Sequence, residues 1–462
     1  MHKINKISAF LLLFVFKILL FNIFASDSIS PTGFASVSGY GYSTTTGGQG
    51  GDTVTVTTAQ ELADLLYQRY RDEKAGPQNP LTIYISGTLT HTSSMVDVKD
   101  VTNISIVGKG NDAKLYGFGL KLRRARNIII TNLYFEKCDD DAISIEGADD
   151  DGVRCNHIWI HHCDFSSDLD HGNDYYDGLI DIKNGAEYIT VSWNKFHNHW
   201  KGCLMGSSDN ESARELDSKM TVTYHHNSFI DVVSRMPRVR FGKAHVYNNY
   251  YKSVSHEIYY CVASVMDAQV VVENCYINNI NQAFYTLYGD SPDPGYLSEK
   301  GNVFVNTPIG STGGTVYNPA DFYSYTLDDT DALDTLIEKY AGVGKLFPGI
   351  ENDDTTGNPD TNITDTVTSI VYYDGQNTGL KIMKNLINPV NSPVTVYFSI
   401  NVPQQVNISL IGIDCKIFNI QNKFFNTGIN EIKIDNSIFK PGIYILMISS
   451  GEDRVCEKLI IQ

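Results

Sequence analysis

Six segments in the middle of the chain align without gaps on one pattern of apolar and polar positions. They are IIITNLYF from Ile128, IWIHHCDF from Ile158, ITVSWNKF from Ile189, VTYHHNSF from Val222, HVYNNYYK from His245 and VVVENCYI from Val270. Most open with a short β-branched run, turn at Asn or His, and resume with aromatic or apolar residues. Their starts lie 30, 31, 33, 23 and 25 residues apart, and an earlier copy, ISIVGKGN from Ile104, precedes the first by 24. No unit of this length buries its apolar face alone, so successive copies must stack into a continuous core. The pattern predicts an all-β chain wound as a parallel β-helix, with turn residues stacked in hydrogen-bonded ladders. Uneven spacing implies loops of different length between coils, where function usually sits. A β-sandwich is the structural alternative, but its hairpins would be shorter. One stretch has a helical period: Thr58–Glu73 opens at Thr58 or Ala59, aligns Leu62, Leu65 and Leu66 on one face, and is predicted to cap the solenoid.

The texture changes at both ends. His2, Lys3 and Lys6 precede an apolar run from Ile7 to Phe24 and small residues at Ala25-Ser26, the layout of a secretory signal over residues 1–26. Residues 27–347 hold the repeats. Residues 348–366 (within them ENDDTTGNPDTNITDT) are polar and read as a linker. Residues 367–462 carry VTVYFSI, VNISLIGI, INEIKI and GIYILMIS, which alternate as in a small antiparallel β-sandwich. The segments NPVNSPVTVYFSI, PGIYILMIS and EKLIIQ resemble the C-terminal sorting domain of the type IX secretion system of Bacteroidetes. That resemblance implies export across the outer membrane by the type IX machinery, with the protein secreted or held at the cell surface. A carbohydrate-binding or spacer module is the rival reading.

Composition adds two constraints. A net charge of −17 excludes nucleic acid as a partner, because phosphate binding needs a basic face. It also opposes an acidic polysaccharide unless a bound cation intervenes. Beyond the signal no stretch is long and apolar enough to cross a bilayer, so no transmembrane helix is expected in the mature chain, which is expected to be a monomer. Eight cysteines permit disulfides in an exported chain, although small buried hydrophobes are as good a reading of Cys163, Cys203 and Cys275.

Acidic residues cluster twice, as Asp139, Asp140 and Asp141 in CDDDAISIEG and as Asp177 and Asp181 in YYDGLIDIKNG. An offset of four in a strand places Asp177 and Asp181 on one face. Hard divalent cations, calcium above all, take several carboxylate oxygens, and Asp139, Asp141, Asp177 and Asp181 would supply them from neighbouring coils. Basic residues follow on the next coils: Lys201, then Arg235, Arg238 and Arg240 in SRMPRVRFG, where Pro237 must interrupt the strand. An anionic substrate could then lie between the cation and the basic group. His161, His162, His197, His199, His225 and His226 could suggest zinc, but they fall mostly at turns of successive coils and read better as stacked hydrogen-bonding residues.

The segments IWIHHCDF, DGLIDIKNGAEYITVSWNKFHNHWKGCLMGSSD, TVTYHHNSF and RMPRVRFGKAHVYNNYY, in that order, resemble the main family of pectate and pectin lyases, over Gly33 to about Phe304. The resemblance implies a right-handed parallel β-helix and calcium-dependent cleavage of polygalacturonate by β-elimination. Carried over by position, it implies that Asp141, Asp177 and Asp181 bind Ca2+ with Asp139 as a further ligand. It also implies that Arg235 is the base and that Lys201 and Arg240 hold the substrate carboxylate. The chain departs from the family at His161, where Asp is common.

Overall fold

The computed structural model describes residues 31–147, 152–345, 381–382, 394–400, 402–412, 417–434, 439, 442–450 and 453–461. The expected signal segment and linker lie outside these residues. The chain divides into two compact units near residue 351.

The first unit is the expected parallel β-helix. Among the described residues it has three parallel sheets of ten, eight and nine strands, and neighbours within each sheet come from successive coils. The repeat is visible in the register of the ten-stranded sheet, where Ile104, Ile128, Ile158, Ile189 and Val222 are paired in line. The fifth copy departs from the sequence alignment by one residue: Val222 pairs with Ala244, and Ala244 with Val270, so the copy begins at Ala244 and the spacings are 22 and 26. Ala244 carries little hydrophobic signal, and a slip of one residue exchanges the two faces of a strand. His245 therefore points away from the core that Ala244 and Val246 enter.

Each coil turns the same way. Asn132, His162, Trp193, His226, Asn248 and Asn274 all take φ between 46° and 59°, the left-handed conformation that short polar side chains tolerate best. The next residue points inward, and there Asn194, Asn227 and Asn249 form a buried ladder. Asn227 Oδ1 accepts from Asn194 N at 3.0 Å, and Asn249 Oδ1 accepts from Asn227 N at 2.9 Å. Two positions further on, Phe135, Phe165, Phe196, Phe229 and Tyr251 stack almost parallel with centroids 4.6–5.1 Å apart. The helix spans Ala59–Ala75, is capped by Thr58 with Glu61 in a reciprocal box, and buries Ala59, Leu62 and Leu66 against the first strands, Asp52–Val56 and Met95–Lys99.

Two segments run across the outer face of the ten-stranded sheet. At the N-terminal end, Phe34 N and Ala35 N donate to Thr223 and Thr190, and Gly48 N donates to Ser105. Near the end of the unit, Tyr323, Tyr325 and Asp328 bond His245, Glu273 and His226, and Leu333 and Ile337 pack on Trp159, Trp193 and Tyr250. This sheet is covered on both faces, which is why Thr190, Thr223 and His245 are fully buried. Cys138, Cys155, Cys163, Cys203, Cys261 and Cys275 are buried free thiols.

In the second unit, one antiparallel sheet joins Lys381–Ile382, Val394–Ile400 and Gly428–Ile434. The other joins Ile417–Phe425, Gln404–Gly412, Gly442–Ser450 and Asp453–Ile461. Val396, Phe398, Ile408, Leu410, Leu446 and Ile448 form the core they share, which makes the unit a small β-sandwich.

Candidate functional site

Strands Ile143–Glu146, Ile180–Lys183, Cys203–Met205 and Arg238–Arg240 lie side by side in the eight-stranded sheet. Ile143, Ile180 and Cys203 are in register and enter the core, while Ser144, Asp181, Leu204 and Arg238 form the adjacent row. Alternation therefore turns Asp181, Arg238 and Arg240 outward on one surface.

The carboxylates converge at one end of these strands. Asp140, Asp141 and Asp177 each bring an oxygen within 4.8 Å of the others. Asp140 was not among the expected ligands, and the expected Asp139 and Asp181 both stand outside this group of three. The run of aspartates lies between strands, so no alternation was available to say which would face inward. Asp177 also precedes its strand, which begins at Ile180. Its approach to Asp181 is therefore set by the Asp177-Gly178 turn and not by the strand offset. Gly178 N donates to Asp141 Oδ1 at 3.2 Å. A Cβ on Gly178 would stand 2.3 Å from Asp181 Oδ1 and 3.2 Å from Asp141 Oδ1, so only glycine lets the two carboxylates close around the turn. Asp181 Oδ1 is buried and accepts no hydrogen bond.

This crowding shows in the acidities. Burial, with Asp177 and Asp140 adding repulsion, pushes the Asp141 carboxyl up to about 6. Burial and then Asp141 raise Asp181 well above the usual carboxylate range. Asp177 goes the other way: burial would raise it, but the hydrogen bond and charge of Lys201 hold it lower. A hard cation would supply the counter-charge and the partner for Asp181 that the protein itself does not provide, and an all-oxygen donor set suits calcium.

The basic residues differ in how far they are engaged. Lys201 is buried, with Nζ 2.9 Å from Asp177 Oδ1 and 3.4 Å from Asp174 Oδ1. Arg240 donates to Asp209 Oδ1 at 2.6 Å and to Gly206 O at 2.9 Å. Arg238 donates to Tyr288 O and Ser291 Oγ. Arg235 follows strand Ser228–Ser234 with φ 61°, just before a cis Met236–Pro237 bond. The same left-handed conformation is taken by Asn132, His162, Trp193, His226, Asn248 and Asn274, so it is common in this fold. The Arg235 guanidinium makes no ion pair or hydrogen bond among the described residues, yet its charge lowers both Asp181 and Asp177. Three residues of the site, Asp140, Gly178 and Asp209, are not among those the sequence marked as functional. The first two adjoin predicted ligands, whereas the pairing of Asp209 with Arg240 spans 31 residues and left no local signal.

Histidines hold the surrounding frame. His199 is buried between Ser167 Oγ at 2.6 Å and the Asp177 carbonyl at 2.6 Å. His161 meets His162, and His225 meets His226, at 2.9 and 2.7 Å between Nδ1 atoms. A separate surface concavity of about 700 Å³, lined by residues including Glu211, Arg214, Phe241 and Asp267, contains none of the candidate residues. Its Arg214 is already paired with Glu211 and Asp267.

Residues 7–346 match the family model described as pectate lyase, and residues 388–462 match that of the secretion system C-terminal sorting domain. A pectate trisaccharide-lyase of Bacillus licheniformis is 42% identical over 327 residues, covering 69% of this chain and 88% of its own. Pectate lyase A of Emericella nidulans is 39% identical over 272 residues, covering 58% and 77%. Among solved structures, a pectate lyase from Bacillus sp. N165 in complex with trigalacturonate superposes with a TM-score of 0.59 at 36% identity, covering 68% of this chain and 99% of that one.

Proposed function

Because the chain belongs to the pectate lyase family, a family of polysaccharide lyases, we propose that it cleaves polygalacturonate by calcium-dependent β-elimination, releasing unsaturated oligogalacturonides. The observation that carries this reading is the convergence of Asp140, Asp141 and Asp177 beside Asp181, Lys201 and Arg235.

Asp140, Asp141, Asp177 and Asp181 would hold Ca2+, with Asp139 as an outer candidate. When bound, the cation supplies positive charge to the substrate carboxylate. Lys201 and Arg240 add fixed positive charge to the same group, and each keeps its place through an aspartate, Asp177 and Asp209. The proton at C5 of galacturonate lies α to that carboxylate, so its removal builds negative charge where these cations face. Arg235, whose guanidinium has no partner among the described residues, takes the proton. The electron pair forms the C4–C5 double bond as the C4–O bond breaks, and the departing sugar oxygen takes up a proton. A guanidine accepts a proton only in its neutral form, so the rate should rise toward alkaline pH. The sorting domain and the basic-apolar start support export by the type IX route, to the medium or the cell surface.

Absorbance of the unsaturated product, followed on polygalacturonate, tests the proposal. Excess chelator should abolish the signal, calcium should restore it, and Arg235→Ala should lower kcat by about 10³-fold or more. A chelator-insensitive signal would remove calcium from the mechanism. An Arg235→Ala enzyme of normal kcat would remove Arg235 as base.

A further inference from the structure

The loop that carries Asp177 also holds an exposed aromatic ring, supported from below and open above. The Tyr175 side chain is 59% exposed. Its ring stacks on His171 at 4.0 Å and 21°, and the buried Tyr176 meets it edge-on at 4.8 Å and 82°. The support beneath is tied down at several points. His171 Nδ1 lies 2.6 Å from Asp168 Oδ1, and Tyr176 donates to the other oxygen of the same carboxylate at 3.2 Å. Lys137 pairs with Asp168 at 3.0 Å, and the Trp200 indole donates to the His171 carbonyl at 2.8 Å. The result is a flat apolar face fixed in orientation and open to solvent. Burial does not hold the ring there, since Tyr175 is more than half exposed; His171, Tyr176 and the bonds beneath them fix its orientation.

Its position says what would cover it. Tyr175 lies between Asp174 and Asp177, both of which contact Lys201, and its Cα is at most about 7.6 Å from that of Asp177. In a galacturonate ring the axial oxygen at C4 leaves the hydrogens of C3, C4 and C5 on one face. That face is apolar and matches an aromatic ring held flat. A polymer whose reacting carboxylate sits at Lys201 must pass a neighbouring ring close to Tyr175.

We propose that Tyr175, backed by His171, is a stacking platform for a galacturonate ring adjacent to the one that loses its proton. This rests on the elimination reading for the identity of the sugar. The platform binds without taking part in bond breaking, so its loss falls on binding and not on turnover.

The test uses the full chain with polygalacturonate in saturating calcium, and calorimetric titration of tetragalacturonate into Arg235→Ala protein with and without Tyr175→Ala. Tyr175→Ala is expected to raise KM and weaken tetragalacturonate binding about tenfold, with kcat within about twofold and calcium affinity unchanged, and Tyr175→Phe should restore binding. Unchanged KM and binding in Tyr175→Ala would overturn the platform. So would a joint loss of kcat and calcium affinity, since Tyr175 would then act only by holding the Asp177 loop. Native protein that binds tetragalacturonate without forming the unsaturated product would sink the elimination reading and leave the platform standing. Native protein that does not bind it sinks both.

Discussion

Gly178 illustrates how much of the site depends on one missing methyl group. Its backbone N–H bonds Asp141, and the space a side chain would need is taken by Asp181 Oδ1. Backbone and carboxylates crowd so closely that a Cβ could enter only by pushing Asp181 or the Asp177 turn aside. Gly178→Ala should therefore lower calcium affinity by about 10–100-fold, the usual effect of disturbing the residues around a metal site, while the solenoid core is untouched and the thermal midpoint barely moves. Calcium titration of the variant decides: native affinity would mean that the carboxylates do not close on a cation across this turn. Asp141, Asp177 and Asp181 were legible in the sequence, whereas nothing in it gave Gly178 a part in the site. Side chains in a turn have no fixed alternation, so Asp139 and Asp140 could not be ranked before the backbone was placed.

The segment from Asn318 to Gly344 shows what an element does that no residue does alone. It ties five coils together through Tyr323 on His245, Tyr325 on Glu273, Asp328 on His226 and Asn248, Gly342 on Trp193, and Gly344 on Asn132. Four titrating groups at this contact lean the same way. Burial, then His226 and His245, hold His225 well below its ordinary value. Burial also lowers His245 despite its bond to Glu273. The bond from His226 lowers Asp328, and that from His245 lowers Glu273. A histidine kept neutral in the fold contributes fully above about pH 6.5 and loses that contribution as pH falls toward its depressed value. The carboxyls keep theirs down to about pH 4 and lose it below. The segment should thus loosen in steps on acidification, the first starting near pH 6.5. Hydrogen exchange of residues 318–341, corrected for intrinsic rates, should show protection falling between pH 7.5 and 5. Equal protection at both would sink the idea.

At the scale of the whole molecule, the two family matches fall on different compact units. If catalysis belongs to the β-helix and addressing to the β-sandwich, ending the chain after residue 347 should leave kcat/KM on polygalacturonate within about twofold of the full chain while abolishing export. A truncated protein that is folded but inactive would give the tail a part in catalysis. The sequence by itself determined the parallel β-helix, the helix that opens at Thr58 or Ala59, the terminal β-sandwich, the family, and the order in which Asp, Lys and Arg arrive along the coils. All of these are written in local periodicity or contiguous motifs, and a stacked repeat translates sequence order directly into spatial order. Even there one coil slipped by a residue, because Ala244 is too small to announce which face it takes. Only the tertiary structure decided that Asp140 joins Asp141 and Asp177, that Arg240 is held by Asp209 while the Arg235 guanidinium has no partner among the described residues, and that Tyr175 faces solvent while Tyr176 is buried. It also decided that the two covering segments lie on the ten-stranded sheet while the charged residues project from the eight-stranded one. Each of these depends on partners tens to hundreds of residues apart, or on side-chain directions in turns, where no period exists to extrapolate.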